Sequence, residues 1–221
     1  MSGPARDLLV VASTEREAAG FRVAGIPVVV SGVGRVNAAI ATTLALASRG
    51  KASSTPIVIS AGIAGSLPDA DGSAGPGIGT VVIGAAAHAA EEGIMTPDGF
   101  RTIGELGFPI ARFAPDNRIE ADPGALAAVR RAIPSAVVAD IATVATCSGT
   151  DDLAREIVRR TAAVAEAMEG AGVLHAARLL GAPAVEIRVV SNTTGDRDRQ
   201  EWRLDEAFDR LHDVAGRLAG L

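Results

Sequence analysis

The residues of this chain that could do chemistry are carboxylates set where the surrounding pattern calls for burial. In "AEAMEGAGVLHAARLLGAP", which starts at Ala165, Glu169 stands between Met168 and a run of small apolar residues that reads as a helix. An ionised carboxylate is acceptor-only with two oxygens, so it either grips ligand donors or sits at a helix start satisfied by the dipole. In "VVASTEREAAGF", Glu15 and Glu17 fall in the first turn after an apolar run. Capping by Ser13 or Thr14, with the acids complementing the dipole, is the simpler account of that stretch taken alone. In "VVVSGVGRVNAAIA", Gly32 and Gly34 precede a helix, but Asn37 stands where a dinucleotide loop has its third glycine, and a tight turn explains the pattern equally well. "VISAGIAGSL" bares the backbone around Gly62, Ile63, Ala64 and Gly65, either for a ligand to approach amides or for close packing. "IRVVSNTTGDRDRQEW" sets Arg188, Ser191 and Asn192 at the end of an apolar run, with Trp202 in the charged segment beyond; an asparagine there also suits a turn.

The elements that must position these groups alternate. "DLLVVAS", "IPVVVSG", "TPIVISAG", "GTVVIGAAAH", "SAVVADIATVAT" and "APAVEIRVVSN" read as strands, and "RVNAAIATTLALASRG", "PGALAAVRRAI", "TDDLAREIVRRT", "EGAGVLHAARLLG" and "LDEAFDRLHDVAGRLAGL" as helices. Strands apolar on both faces and alternating with helices predict an α/β fold with a central twisted sheet covered on both sides. Residues 1–221 are of ordinary length for one domain, and 48% hydrophobic residues fill a sizeable core. "LPDADGSAGPGIG" and "EEGIMTPDGFRTIGELGFPIARFAPDN" read as loops or lids. Ligands of such sheets sit beyond the carboxyl ends of the strands, where the four stretches above fall.

Composition narrows the partners. Lys plus Arg number 21 against 26 Asp plus Glu, a net charge of -5, which argues against nucleic acid. No apolar stretch reaches the roughly 18 residues of a membrane span, and the N-terminus has too short an apolar run for a secretion signal. A single cysteine, Cys147, excludes an intramolecular disulfide, and the expectation is a cytoplasmic protein. No basic residue adjoins Cys147, so packing is its expected role. His88 and His175 are not at metal-ligand spacing, and no metal is expected.

Taken together, "ASTERE", "SGVGRVNAA", "SAGIAGSL", "AMEGAG" and "IRVVSN" occur in the order and approximate spacing of the purine nucleoside phosphorylase and nucleosidase superfamily, which the chain resembles from about Leu8 to the C-terminal helix. The resemblance implies a single nucleosidase domain whose central sheet is mixed. It implies that Glu169 clamps the ribose diol by two charge-assisted bonds, with Met168 walling the sugar and Ile63, Ala64, Gly65 and Ser191 lining the site. Phosphorylases of the superfamily carry a Gly-Asp-Pro-x-Arg type loop near the first strand; "ASTEREA" stands there instead, as in nucleosidases. Glu17 then matches the catalytic acid that activates water, with Glu15 in reserve, and Arg188 matches a position near that water. Nucleosidases acting on methylthioadenosine or S-adenosylhomocysteine have aspartate at the match to Asn192. An amide cannot act as an acid, but its acceptor and donors complement a 6-oxopurine with protonated N7, so hypoxanthine is favoured over adenine. These features resemble the futalosine hydrolase branch, of the menaquinone route, which needs no cofactor. The implied substrate is a nucleoside with a benzoate on its 5' side, for which Arg35, Arg101, Arg197 and Arg199 are candidates. Trp202 matches an aromatic that covers the substrate, and relatives are homo-oligomers. An adenine-releasing nucleosidase, including one for aminodeoxyfutalosine, is the near alternative; a dinucleotide-binding module is the distant one.

Overall fold

The structure, a computed structural model, describes residues 7–49 and 54–221. The predicted alternation is realised as β1 (Leu8–Ala12), α1 (Glu15–Val23), β2 (Val28–Val30), α2 (Arg35–Ala47), β3 (Ile57–Ser66) and β4 (Val81–Ala89). A hairpin of β5 (Gly93–Thr96) and β6 (Gly99–Thr102) follows, then β7 (Arg118–Glu120), α3 (Pro123–Ala132), β8 (Val137–Thr143) and α4 (Asp151–Thr161). The chain ends with β9 (Ala165–Ala167), α5 (Gly170–Leu179), β10 (Ala184–Thr193) and α6 (Leu204–Leu218). One strand is not anticipated by the sequence pattern and one reading needs correction. Residues 165–167 form a short strand ahead of the predicted helix, which begins as α5 at Gly170 with Glu169 at its N-cap. The stretch from Glu91, read as irregular, contains the β5–β6 hairpin, turned at Gly99 with φ 119°.

The central sheet is mixed, with helices on both faces. Phe21 of α1, Ala125 and Val129 of α3 and Leu211, Val214 and Leu218 of α6 pack one face. Ala38 of α2 and Ala171, Leu174 and Ala177 of α5 pack the other. The sheet also closes on itself. Along one edge of β3, β1 pairs in parallel with residues 57–60 and β9 antiparallel with residues 65–66, while β10 runs parallel along the opposite edge. Since β10 pairs β4, β4 pairs β8 and β8 pairs β9, the circuit returns to β3. The carboxyl ends of β3, β8 and β10 are thereby gathered with the amino end of α5, the placement the chemistry requires.

Local chemistry sets the element ends. Thr14 caps α1 in a capping box with Glu17, and Asp122 caps α3 with Pro123 in its first turn. Gly34 starts α2 at φ 98°, a conformation that a side chain disfavours. His88, Asp140 and Arg118 tie β4, β8 and β7: burial alone would raise the Asp140 carboxyl, but bonds from His88 and Arg118 outweigh it and lower its pKa to about 2.

Helix α5 lies close on α2 because Gly172 has no side chain; a Cβ there would stand 2.3 Å from the backbone carbonyl oxygen of Arg35. Gly172→Ala is expected to push the two helices apart and destabilise the protein by about 1–3 kcal/mol, measured by urea unfolding.

Candidate active site

Three buried carboxylates surround one buried guanidinium. Arg188 of β10 is 1% exposed, and its Nε donates to Glu186 Oε1 at 2.8 Å. Its Nη2 donates to Ser60 Oγ at 3.2 Å, and its Nη1 lies 3.2 Å from Glu169 Oε2 and 3.5 Å from the carbonyl of Ile63. Burial would lower the Arg188 pKa, but the charges of Glu186, Glu169 and Glu17 outweigh it and raise it, so the guanidinium stays charged. Glu169 takes a second bond from the Gly34 amide at 3.0 Å. That is where the amide of the "SGVGR" turn goes: it holds a carboxylate of the same chain.

Glu17 approaches from the other side. Its Oε2 accepts from Ser13 Oγ, from Thr14 N at 3.0 Å and from Thr14 Oγ1 at 3.0 Å, and its Oε1 accepts from Ile63 N at 3.0 Å. Capping is thus real, and it coexists with burial: Glu17 is 4% exposed although it lies in a first helical turn. Gly62 makes the approach possible, because a Cβ there would lie 2.3 Å from Glu17 Oε1 and 2.6 Å from Arg188 Nη1. Glu15, the reserve choice, is solvent-exposed and paired with Arg22, outside this cluster.

Asn192 and Ser191 form a second group one step along β10. The register with β3 shifts between Val190 and Asn192, so Ser191 is the extra residue of a bulge. Ser191 Oγ, with one hydrogen to give, lies 2.8 Å from Asn192 Oδ1 and 3.2 Å from Ala64 O and donates to the nearer, while Asn192 Nδ2 donates to Thr193 O at 2.9 Å. Gly65 lies directly beneath: a Cβ there would stand 3.1 Å from Asn192 Nδ2 and 3.5 Å from Glu166 Cγ. Trp202 bridges Asn192 as an antiparallel partner, which sets both side chains on one face. Its ring is 45% exposed and stacks under Arg197 at 4.8 Å. Met168 is half-buried. A cavity of about 610 Å³ opens next to this group, lined by Ser66, Thr193 and Thr194; Glu17, Glu169, Arg188 and Asn192 do not line it.

Sequence reasoning missed two acids. Glu186 is fully buried, and its position two residues before Arg188 on an apolar strand, hence on the same face, was the available signal. Burial raises its pKa, with the Arg188 charge opposing. Glu166 of β9 is 4% exposed and accepts from Ser148 N at 2.7 Å and Ser148 Oγ at 2.6 Å; burial raises its pKa as well. Partial desolvation, then the carboxylates of Glu166, Glu169 and Glu91, push the Cys147 thiol up, which disfavours a nucleophilic thiolate. Among the described residues no three His, Cys, Asp or Glu side chains are grouped to hold a metal, and no helix is long and apolar enough to cross a membrane.

A model of the phosphorylase superfamily matches residues 15–221. The chain belongs to that superfamily. It is 38% identical over 167 residues to the futalosine hydrolase of Streptomyces coelicolor, covering 74% of this chain and 65%, just under two thirds, of that relative. It is 30% identical over 203 residues to the futalosine hydrolase of Thermus thermophilus, covering 90% of this chain and 83% of the relative. Among solved structures, the 5'-methylthioadenosine/S-adenosylhomocysteine nucleosidase of Neisseria meningitidis, in complex with methylthio-immucillin-A, superposes with a TM-score of 0.75. That likeness, at 23% identity over 96% of this chain and 97% of the other, is one of superfamily fold.

Removing the guanidinium leaves the buried acids without their counter-charge. Arg188→Met is expected to cost about 3–5 kcal/mol in chemical denaturation. With Arg188 gone, Glu186 is raised further above its unfolded value, so the folded state binds the extra proton and the variant loses stability as pH rises above the ordinary carboxylate range. Unfolding curves at pH 5 and pH 8 check the sign: the variant should be the weaker at pH 8, relative to the wild type.

Proposed function

We propose that this chain is a single-domain nucleosidase that hydrolyses the N-glycosidic bond of futalosine, releasing hypoxanthine and dehypoxanthine futalosine. The observation that carries the reading is the convergence of Glu17 and Glu169 on Arg188 midway along β10, with Asn192 one bulge further along the strand. Both curated relatives described above carry the futalosine hydrolase name.

In this reading Glu169 accepts from the ribose 2'- and 3'-hydroxyls through lone pairs that Gly34 and Arg188 leave free. The glycosidic electron pair departs with the purine, which takes its N7 proton from solvent; water adds to C1', and Glu17 takes the proton of that water and returns it to solvent. A carboxylate in the first turn of α1, just after β1, repels phosphate, which favours water as the acceptor. Asn192 keeps one amide hydrogen and one carbonyl lone pair beyond its bonds to Thr193 and Ser191, enough for O6 and a protonated N7 of hypoxanthine.

For the benzoate of the substrate the reading selects Arg197. Arg35 is held by Glu91 and Glu92, Arg199 by Asp151 and Asp196, and Arg101 donates to the Glu105 carbonyl. Arg197 and Arg101 both lack a carboxylate at ion-pair distance among the described residues, and Arg197 donates to Gln200 Oε1 at 2.8 Å; what favours Arg197 is its stacking on Trp202 beside Asn192. Trp202 then covers the substrate from the same side.

A homo-oligomer is also proposed. Val36, Ile40 and Leu44 recur every fourth residue on α2 and are 67%, 54% and 65% exposed, an apolar stripe suited to a second copy.

Incubation with futalosine, inosine and methylthioadenosine, with and without phosphate, tests the activity through the released base. Hypoxanthine should appear from futalosine without phosphate, and Glu17→Gln should lower kcat about 10²- to 10⁴-fold. Faster release of adenine, or dependence on phosphate, would count against the Asn192 and Glu17 assignments. Leu44→Glu is expected to shift the protein to monomer in sedimentation analysis.

A further inference from the structure

Glu186 is a buried acid that the hydrolytic steps leave unused. It is 0% exposed, one of its oxygens binds Arg188 Nε, and the other, Oε2, has no hydrogen-bond partner. It is accommodated only because residue 170 is glycine: a Cβ there would lie 2.0 Å from Glu186 Oε2. The groups around it are Arg188 on its own strand, Glu169 from the start of α5, Ser60 of β3 through Arg188, and the bare Gly84 of β4.

A guanidinium free to choose closes on a carboxylate with two parallel N–H bonds. Arg188 does not do so with Glu169. Its Nε is held by Glu186 and its Nη2 by Ser60, so only Nη1 reaches Glu169, at a single oxygen. We propose that Glu186 is a positioning residue: by anchoring Nε it keeps Arg188 in a one-point contact with Glu169 and so leaves that carboxylate open to the vicinal hydroxyls of a ribonucleoside. Without the anchor the guanidinium turns, takes both oxygens of Glu169 and competes with the sugar. The proposal rests on the ribose-clamp reading of Glu169 given above.

Its test reads the sugar hydroxyls directly and needs no turnover. The probes are a C-nucleoside analogue of inosine, which has no cleavable N-glycosidic bond, and its 2',3'-dideoxy counterpart, titrated by calorimetry into the full-length protein. The wild type is expected to prefer the ribo form by about tenfold or more, as two bonds to a charged acceptor imply. Glu186→Ala should bring the two affinities to near parity, and Glu186→Gln, whose amide oxygen still accepts from Nε, should restore most of the preference. A general loss of structure would weaken both ligands alike and would not be rescued by the amide. Gly170→Ala, which drives the Glu186 carboxylate off Arg188 without deleting it, should reproduce the loss and serves if Glu186→Ala does not fold. Retention of the ribo preference in folded Glu186→Ala, or in Gly170→Ala if it does not fold, overturns the proposal, as does equal loss in Glu186→Gln. A wild type with no ribo preference overturns instead the ribose-clamp reading itself, and the proposal with it.

Discussion

One buried positive charge organises the functional end of this molecule. A guanidinium removed from water is tolerated only where carboxylates and acceptors surround it. Arg188 meets that condition with acids from three separate stretches of chain: Glu17 from α1, Glu169 from the start of α5 and Glu186 from β10 itself. Each acid in turn is buried at a cost that the guanidinium offsets. The arrangement is therefore mutual. Two glycines are part of the same constraint, because Gly62 and Gly170 lie where a Cβ would occupy the space of a carboxylate.

The closed sheet is what brings those stretches together. β3 gives up β1 as its neighbour and takes β9 further along the same edge, while β10 follows its other edge throughout. This handover curls the sheet until the amino end of α5, which β9 leads into, reaches β10 at Glu186 and Arg188. The bulge at Ser191 then turns Asn192 over Gly65 and alongside Trp202, away from the guanidinium. Charge chemistry and amide chemistry are thus separated by one irregular step in a single strand, an arrangement suited to a ligand with a polyol at one end and a heteroaromatic ring at the other.

Much of this was legible in the residues. The apolar runs and helical spacings placed most elements correctly, because strands covered on both sides must be apolar and helices must repeat their buried face. The exceptions have causes. β9 is only three residues long and alanine-rich, so nothing in its pattern marks it as a strand. The β5–β6 hairpin is exposed on much of its surface and lacks alternation, so its Pro97, Asp98 and Gly99 read as loop. Glu186 sat in plain view two residues before Arg188, but a strand position specifies a face and not a partner. Whether that acid would face solvent, another strand or the guanidinium depended on how the sheet closed.

By itself, then, the sequence determined the alternating α/β order, the helix caps, the absence of a large basic surface and the motifs that mark membership of the superfamily. These follow from local sterics, periodicity and composition, which a chain carries with it. Only the tertiary structure decided that Glu17 caps a helix and reaches the Arg188 cluster at once, that the Gly34 amide serves Glu169, and that Arg197 lies over the Trp202 ring. Those are contacts between segments far apart in the chain, 135 residues in the case of Gly34 and Glu169. Their geometry exists only once the sheet has curled, because hydrogen bonds and ion pairs depend on ångström-scale distances that no spacing along the chain encodes.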